Sequence, residues 1–159
     1  RFFTVYGPWG RPDMALFLFT DAMIKNKPIN VFNNGNMVRD FTYVLDIVNS
    51  IKKLINKPPK NNNSWDSKNP LSSTSSCPYQ ILNIGNADPI NLMEYVSAIE
   101  ENLNMKAKIN FMPMQDGDVP FTFSNSRKLY DKINFKPSTS VKIGVKKFID
   151  WYKIYYSIS

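Results

Sequence analysis

The chain has 159 residues, 43% hydrophobic and 14% aromatic, which is ample for one packed core. Its 20 basic residues against 13 acidic give a net charge of +7, a balance that favours anionic partners, whether nucleic acid, nucleotide or phosphosugar. A single cysteine, Cys77, excludes an intrachain disulfide, and the absence of histidine excludes Ser-His and Cys-His nucleophile systems and every histidine-containing metal site.

In chain order, residues 1–6 (RFFTVY) suit a strand by their β-branched and aromatic content, and GPWGRP breaks it. A helix is predicted over 13–27, with Pro12 and Asp13 at its start, Lys25 and Lys27 at its end, and apolar residues nearly all round it. INVF and VRDFTY read as two strands of a hairpin turned by NNGNM. The helical spacing of Val44, Leu45, Val48, Ile51, Leu54 and Ile55 predicts a second helix that the Pro-Pro at 58–59 stops.

Residues 57–78 have almost nothing to bury and are expected to form a long surface loop, mobile at least in part. A strand is predicted over 79–85 (YQILNIG). A helix follows from Asn91, opened by a capping box with Glu94 three residues on. KINFMPM reads as a strand, Ser124 as the cap of a short helix over 125–133, and 141–157 as a closing amphipathic helix. Strands alternate with helices, so the fold class is α/β. No apolar run approaches the ~20 residues that cross a bilayer, and no signal-peptide pattern opens the chain. The expectation is a cytoplasmic protein with no membrane contact. No nucleic-acid-binding motif or basic stripe accompanies the charge, so no nucleic acid partner is expected.

The chain contains neither G-x-G-x-x-G nor G-x-x-x-x-G-K-[ST], and no tyrosine is followed four residues later by lysine. Three places carry polar groups that structure alone does not demand. Arg39-Asp40, flanked by Val38 and Phe41, is either an edge pair facing water or an anion clamp. QDGDVP at 115–120 is either a plain turn or a carboxylate aimed at sugar hydroxyls. Thr4 needs a hydroxyl partner if buried, and backbone supplies the simplest one.

RFFTVYGPWGRPDMA and NNGNMVRDFTYVLDIV, together with YQILNIGNADPINLMEYVSAIE, MPMQDGDVPFTFSNSRKL and FIDWYKIYY, closely resemble the NAD-dependent nucleotide-sugar epimerases of the extended short-chain dehydrogenase/reductase type, nearest the UDP-glucuronate 4-epimerases. The resemblance covers the chain apart from 57–78. It implies the C-terminal part of a Rossmann-type enzyme: last Rossmann strands at 1–6 and 79–85 plus a small α/β substrate-binding domain. The glycine-rich half and the Tyr-x-x-x-Lys pair would lie upstream, so no catalytic residue and no metal site is expected within the chain.

It further implies NAD as cofactor, a UDP-hexuronic acid as substrate and a homodimer at full length. By position, Arg39 resembles the clamp on the diphosphate, Asp118 the carboxylate on the uridine ribose, and Gln115 an uncharged stand-in for an arginine common in relatives. Val31, Phe32 and Asn33 resemble the backbone edge that reads uracil. Thr4 and Arg11 resemble the contacts to the sugar carboxylate, and Phe2 and Val5 the main-chain contacts to nicotinamide. VLDIV and SNSRKL lack acidic residues that relatives often carry, which bears on helix capping.

Overall fold

The structure, a computed structural model, describes residues 1–158. Its strands pair only with distant segments. β1 (Thr4–Tyr6) runs parallel to β4 (Phe41–Tyr43), in register Thr4 to Phe41 and Tyr6 to Tyr43. β2 (Ile29–Val31) runs parallel to β6 (Ile109–Phe111), and β3 (Val38–Arg39) antiparallel to β5 (Ile90–Asn91). Parallel pairs need a crossover. The first helix, α1 (Ala15–Ile24), lies inside the β1-to-β4 connection and buries Leu16, Phe19 and Met23.

The α/β architecture is as expected, and its centre is aromatic. Phe41 stacks on Tyr95 at 4.0 Å between centroids, and Tyr6 stands edge-on to both at 6.1 and 5.8 Å. Tyr95 comes from α3 (Leu92–Leu103), whose Val96 and Ile99 lie in the same core as Val145, Phe148 and Ile149 of α5 (Val141–Tyr155). Burying side chains of this size contributes about 1.5–3 kcal/mol each. A smaller cluster of Ile47, Ile84, Leu129 and Ile133 joins α2 (Val44–Ile55) to α4 (Arg127–Ile133). The outer face of α2 leaves Leu45, Val48, Ile51 and Ile55 exposed.

Local signals decide the helix ends. Asn91 caps α3 as predicted: its side chain accepts from Met93 N–H at 2.7 Å while its own N–H donates to Glu94 Oε1. Ser140 Oγ accepts from Ile143 N–H at the start of α5. At α1 the expected Asp13 start fails. The N-cap is Met14, with no side-chain cap, because the Asp13 carboxylate is taken by Arg11.

Three predicted elements differ. The 29–43 stretch is not a hairpin. Asn33 and Asn34 take left-handed φ values of 51° and 50°, which coils Phe32–Gly35 into a 3-10 turn instead of folding the chain back. The freed edge goes elsewhere, with Met112 N–H donating to Val31 O and Asn34 N–H to Met112 O. Residues 79–85 form no continuous strand. They touch the N-terminal segment at one parallel bridge, Phe2 with Ile84, bonded from Ile84 N to Arg1 O and from Phe3 N to Ile84 O. Ser124 does not cap α4. Ser126 is the N-cap residue and Asn125 Oδ1 accepts from Arg127 N–H, while the Ser124 hydroxyl faces Ser126 Oγ. Between α2 and β5 only isolated bridges occur, among them Thr74 with Gln80.

Candidate functional site

A cleft of about 550 Å³ opens between α1, the start of β2, β3 and the 115–118 turn. One wall is apolar, built from Ala15, Leu18, Phe19 and Ala22 of α1 with Phe32, Met37 and Leu92. The polar lining is Thr4, Asp13, Asn30, Arg39, Gln115 and Asp118. An apolar wall facing a few convergent polar groups suits a flat, partly hydrophobic ligand with an anionic end.

The Arg39 guanidinium is held at two points. Nη2 donates to Asp118 Oδ1 at 2.9 Å and Nη1 to its neighbour's carbonyl, Val38 O, at 3.1 Å. The Arg39 side chain is 14% exposed and that of Asp118 38%, so the pair sits at the cleft wall with one partner facing water. Among the described residues Arg39 donates to no other side chain, which leaves N–H groups for a ligand anion. Asp118 is aimed by a tight turn, in which Asp118 N–H donates to Gln115 O and Gly117 takes φ 79°. That left-handed value favours glycine. The carboxylate also accepts from Val119 N–H at 2.9 Å.

The other half of the Arg39-Asp40 pair has a different task. Asp40 is fully buried and makes no ion pair among the described residues. Its Oδ1 accepts from Asn86 N–H, and its Oδ2 from Ala87 N–H and Ser124 N–H, at 2.8–3.2 Å. Its own N–H donates to Thr122 Oγ1. The pair is therefore not an edge facing water, since Arg39 lines the cleft and Asp40 is buried.

Of the remaining predicted residues, Phe32 lines the cleft, whereas Val31 is fully buried behind it with its carbonyl already taken by Met112 N–H. Asn33 turns its amide to Asn36 O at 2.8 Å. Arg11 does not reach this cleft. It lines a neighbouring crevice with Thr4 and Val5, is exposed, and is paired with Asp13. The hydrogen bond from Arg11 holds the Asp13 carboxyl below the usual range. Phe2 is 57% exposed and lies away from both, beside Ile51 and Ile84. One contributor was missed in the sequence: Asp13 lines the cleft but reads there only as a helix start.

The residues 1–66 match the NAD dependent epimerase/dehydratase family. "Protein CapI" of Staphylococcus aureus is 53% identical over 98% of this chain and 47% of its own length. A "Probable UDP-glucuronate 4-epimerase" of Rhizobium meliloti (strain 1021) is 45% identical over 96% of this chain and 45% of its own. A Bacillus cereus UDP-glucuronic acid 4-epimerase, crystallised with UDP-glucuronic acid and NAD, superposes with a TM-score of 0.80 at 26% identity, covering 98% of this chain and 45% of that one. The fold thus matches a part, about 45%, of Rossmann-type epimerase/dehydratase structures. In sequence the chain is similar to the NAD dependent epimerase/dehydratase family over residues 1–66 and resembles, among other proteins, a probable UDP-glucuronate 4-epimerase. It spans about half the length of the curated relatives it matches.

Proposed function

We propose that the chain is the substrate-gripping part of an NAD-dependent UDP-glucuronate 4-epimerase, which interconverts UDP-glucuronate and UDP-galacturonate. The observation that carries this is the convergence of Thr4, Phe32, Arg39, Gln115 and Asp118 on one cleft. Arg39 takes the diphosphate, because a guanidinium offers forked donors and keeps its charge. Asp118 accepts from the ribose, Gln115 adds a neutral phosphate contact, and Phe32, the one residue of 31–33 that lines the cleft, borders the uracil. Thr4 stands between the cleft and the Arg11 crevice, so the sugar carboxylate lies toward Thr4 and Arg11.

An epimerase that releases and regrips its sugar must anchor the nucleotide, remote from the reacting carbon. NAD supplies the hydride chemistry. The chain has no glycine fingerprint or Tyr-x-x-x-Lys of its own and offers only Val5 and Phe2 toward the nicotinamide side. The 159 residues alone neither turn over substrate nor hold NAD tightly.

Residues 1–6 and 79–85 belong to a larger Rossmann sheet, and the exposed stripe of α2 packs beneath the other half that the relatives possess. The loop 57–78 stays outside the site. The setting is cytoplasmic, with a homodimer at full length, no nucleic acid partner and a product destined for capsule or lipopolysaccharide. No helix among the described residues is long and apolar enough to cross a membrane.

The test is Arg39→Ala, with UDP affinity read by isothermal titration. Removing a charge-assisted contact of about 1.5–3 kcal/mol weakens binding by about tenfold to a hundredfold. Unchanged UDP affinity rejects the placement of the diphosphate. In a protein that includes the relatives' other half, UDP-glucuronate yields UDP-galacturonate. Released CO2 or a stable keto sugar would point instead to a decarboxylase or dehydratase.

A further inference from the structure

Two segments meet at Asp40. To its carboxylate, residues 86–87 donate from Asn86 N–H at 3.2 Å and Ala87 N–H at 3.1 Å, and Ser124 N–H donates at 2.8 Å. Two residues before Ser124, Thr122 Oγ1 accepts the Asp40 backbone N–H at 3.2 Å. Asn86 N–H is shared with Thr42 Oγ1 at 3.1 Å.

What these segments carry gives the cluster its meaning. Ala87 has φ 54°, a left-handed conformation unfavourable for alanine. The reversal there lets the chain return three residues later as β5, whose Ile90 pairs with Arg39 itself. On the other flank, Val38 N–H donates to Pro120 O and Thr122 N–H to Val38 O, so the strand leaving Asp118 is laced to the residue before Arg39. The backbone of Arg39 is thus gripped between 90–91 and 120–122, and one buried side chain, Asp40, ties down both grips.

We propose that Asp40 is a positioning residue that sets the spacing of Arg39 and Asp118 and so prepares the guanidinium for a nucleoside diphosphate. This rests on the diphosphate reading of Arg39. A carboxylate suits the post because it accepts several N–H donors at once, and an asparagine of the same shape offers only one accepting oxygen. Losing acceptors opposite buried N–H groups releases the reversal at Ala87 or the strand at Ser124. Either release moves one partner of the pair against the other.

The test uses the full chain and two readouts. The first is ligand-free: the Arg39 Nη–H resonances in a low-temperature proton–nitrogen spectrum, assigned by their loss in Arg39→Lys, with their solvent-exchange rate measured, since Nη2 is the donor to Asp118. Pairing with Asp118 slows that exchange. Asp118→Asn speeds it, and Asp40→Asn speeds it to a similar degree, although Asp40 does not touch the guanidinium. Thr122→Val, a milder change that removes the acceptor of Asp40 N–H, shifts it in the same direction and stands in should Asp40→Asn fail to fold.

The second readout is UDP affinity. Asp40→Asn weakens it about tenfold beside Arg39, and by less than twofold in an Arg39→Ala background. Unaltered Arg39 exchange in both Asp40→Asn and Thr122→Val overturns the proposal, as does an equal UDP loss in both backgrounds, which marks general loosening. A UDP affinity indifferent to Arg39→Ala rejects the diphosphate reading itself, while the exchange rates still report whether Asp40 sets the pair.

Discussion

Asp118 sits against the group that the ligand needs, so its charge can be weighed directly. The perturbation is Asp118→Asn, which keeps the side-chain shape and a possible acceptor but deletes the negative charge 2.9 Å from Arg39 Nη2. An incoming diphosphate at about 6 Å from that carboxylate feels a repulsion between about 0.7 kcal/mol at the dielectric of water and about 2.8 kcal/mol at an effective value of 20. With 38% of the Asp118 side chain exposed, the watery end of that range applies. Inorganic pyrophosphate therefore binds the variant about threefold to tenfold more tightly at low salt, and the gain shrinks toward physiological ionic strength. UDP gains less, because the ribose loses its anionic acceptor, so the preference for UDP over pyrophosphate falls. The fold loses little, since a partly exposed pair contributes about 0.2–1 kcal/mol. Isothermal titration of both ligands at two salt concentrations reads all of this. Pyrophosphate binding that stays level or weakens in Asp118→Asn refutes the claim that Arg39 is the phosphate grip.

Gly144→Ala destabilises the chain by about 1–3 kcal/mol, although alanine is the better helix former by about 1 kcal/mol. An added Cβ would meet Tyr6 Oη at 2.2 Å and displace a hydroxyl that donates to Ser140 O at 3.3 Å. Adding Tyr6→Phe recovers part of the loss in a denaturant melt, and no recovery counts against the clash. At Asp21 the hydrogen bond from Lys25, opposed by burial and aided by Tyr152 Oη at 2.8 Å, holds the carboxyl below its usual value. Its contribution is therefore complete above the unfolded pKa of about 3.9 and disappears as pH falls through the lower folded value. Asp21→Asn costs about 1 kcal/mol at neutral pH, and its urea midpoint converges on the parent's at acid pH, below the lowered folded value. A gap of equal size at both pH values rejects the assignment.

Helices were legible in the sequence where the signal is local. The Asn91–Glu94 box and the apolar spacing of α2 and α5 need only neighbours a few residues away, and each helix forms close to where it was expected. The strands were legible as segments but not as partners. Nothing in INVF announces that its edge belongs to residues 109–111, and paired left-handed asparagines mimic a hairpin tip in composition while sending the chain elsewhere. The 79–85 stretch has strand composition yet meets only Phe2 through a ladder bridge, because composition measures fit to a sheet and says nothing of which neighbours are at hand.

The cleft residues Thr4, Arg39, Gln115 and Asp118 were legible by resemblance. Arg11 opens on a neighbouring crevice and Val31 is buried behind Phe32, distinctions that depend on tertiary packing. The Arg39-Asp40 pair stood out in the sequence, but its two side chains could not be told apart there, because the partners of Asp40 come from positions 86, 87 and 124.

The long reach of the strand pairing governs how the chain comes into being. Ile29 waits for Ile109, a separation of 80 positions. At ribosomal speeds of about 5–20 residues per second, β2 emerges roughly 4–16 seconds before its mate. During that delay α1 and α2 can form while their sheet neighbours hang open, so early synthesis exposes a sticky edge that invites chaperone capture. Fusions or rare-codon pauses placed between positions 31 and 109 lengthen the hazard, and those placed after Phe111 leave it alone.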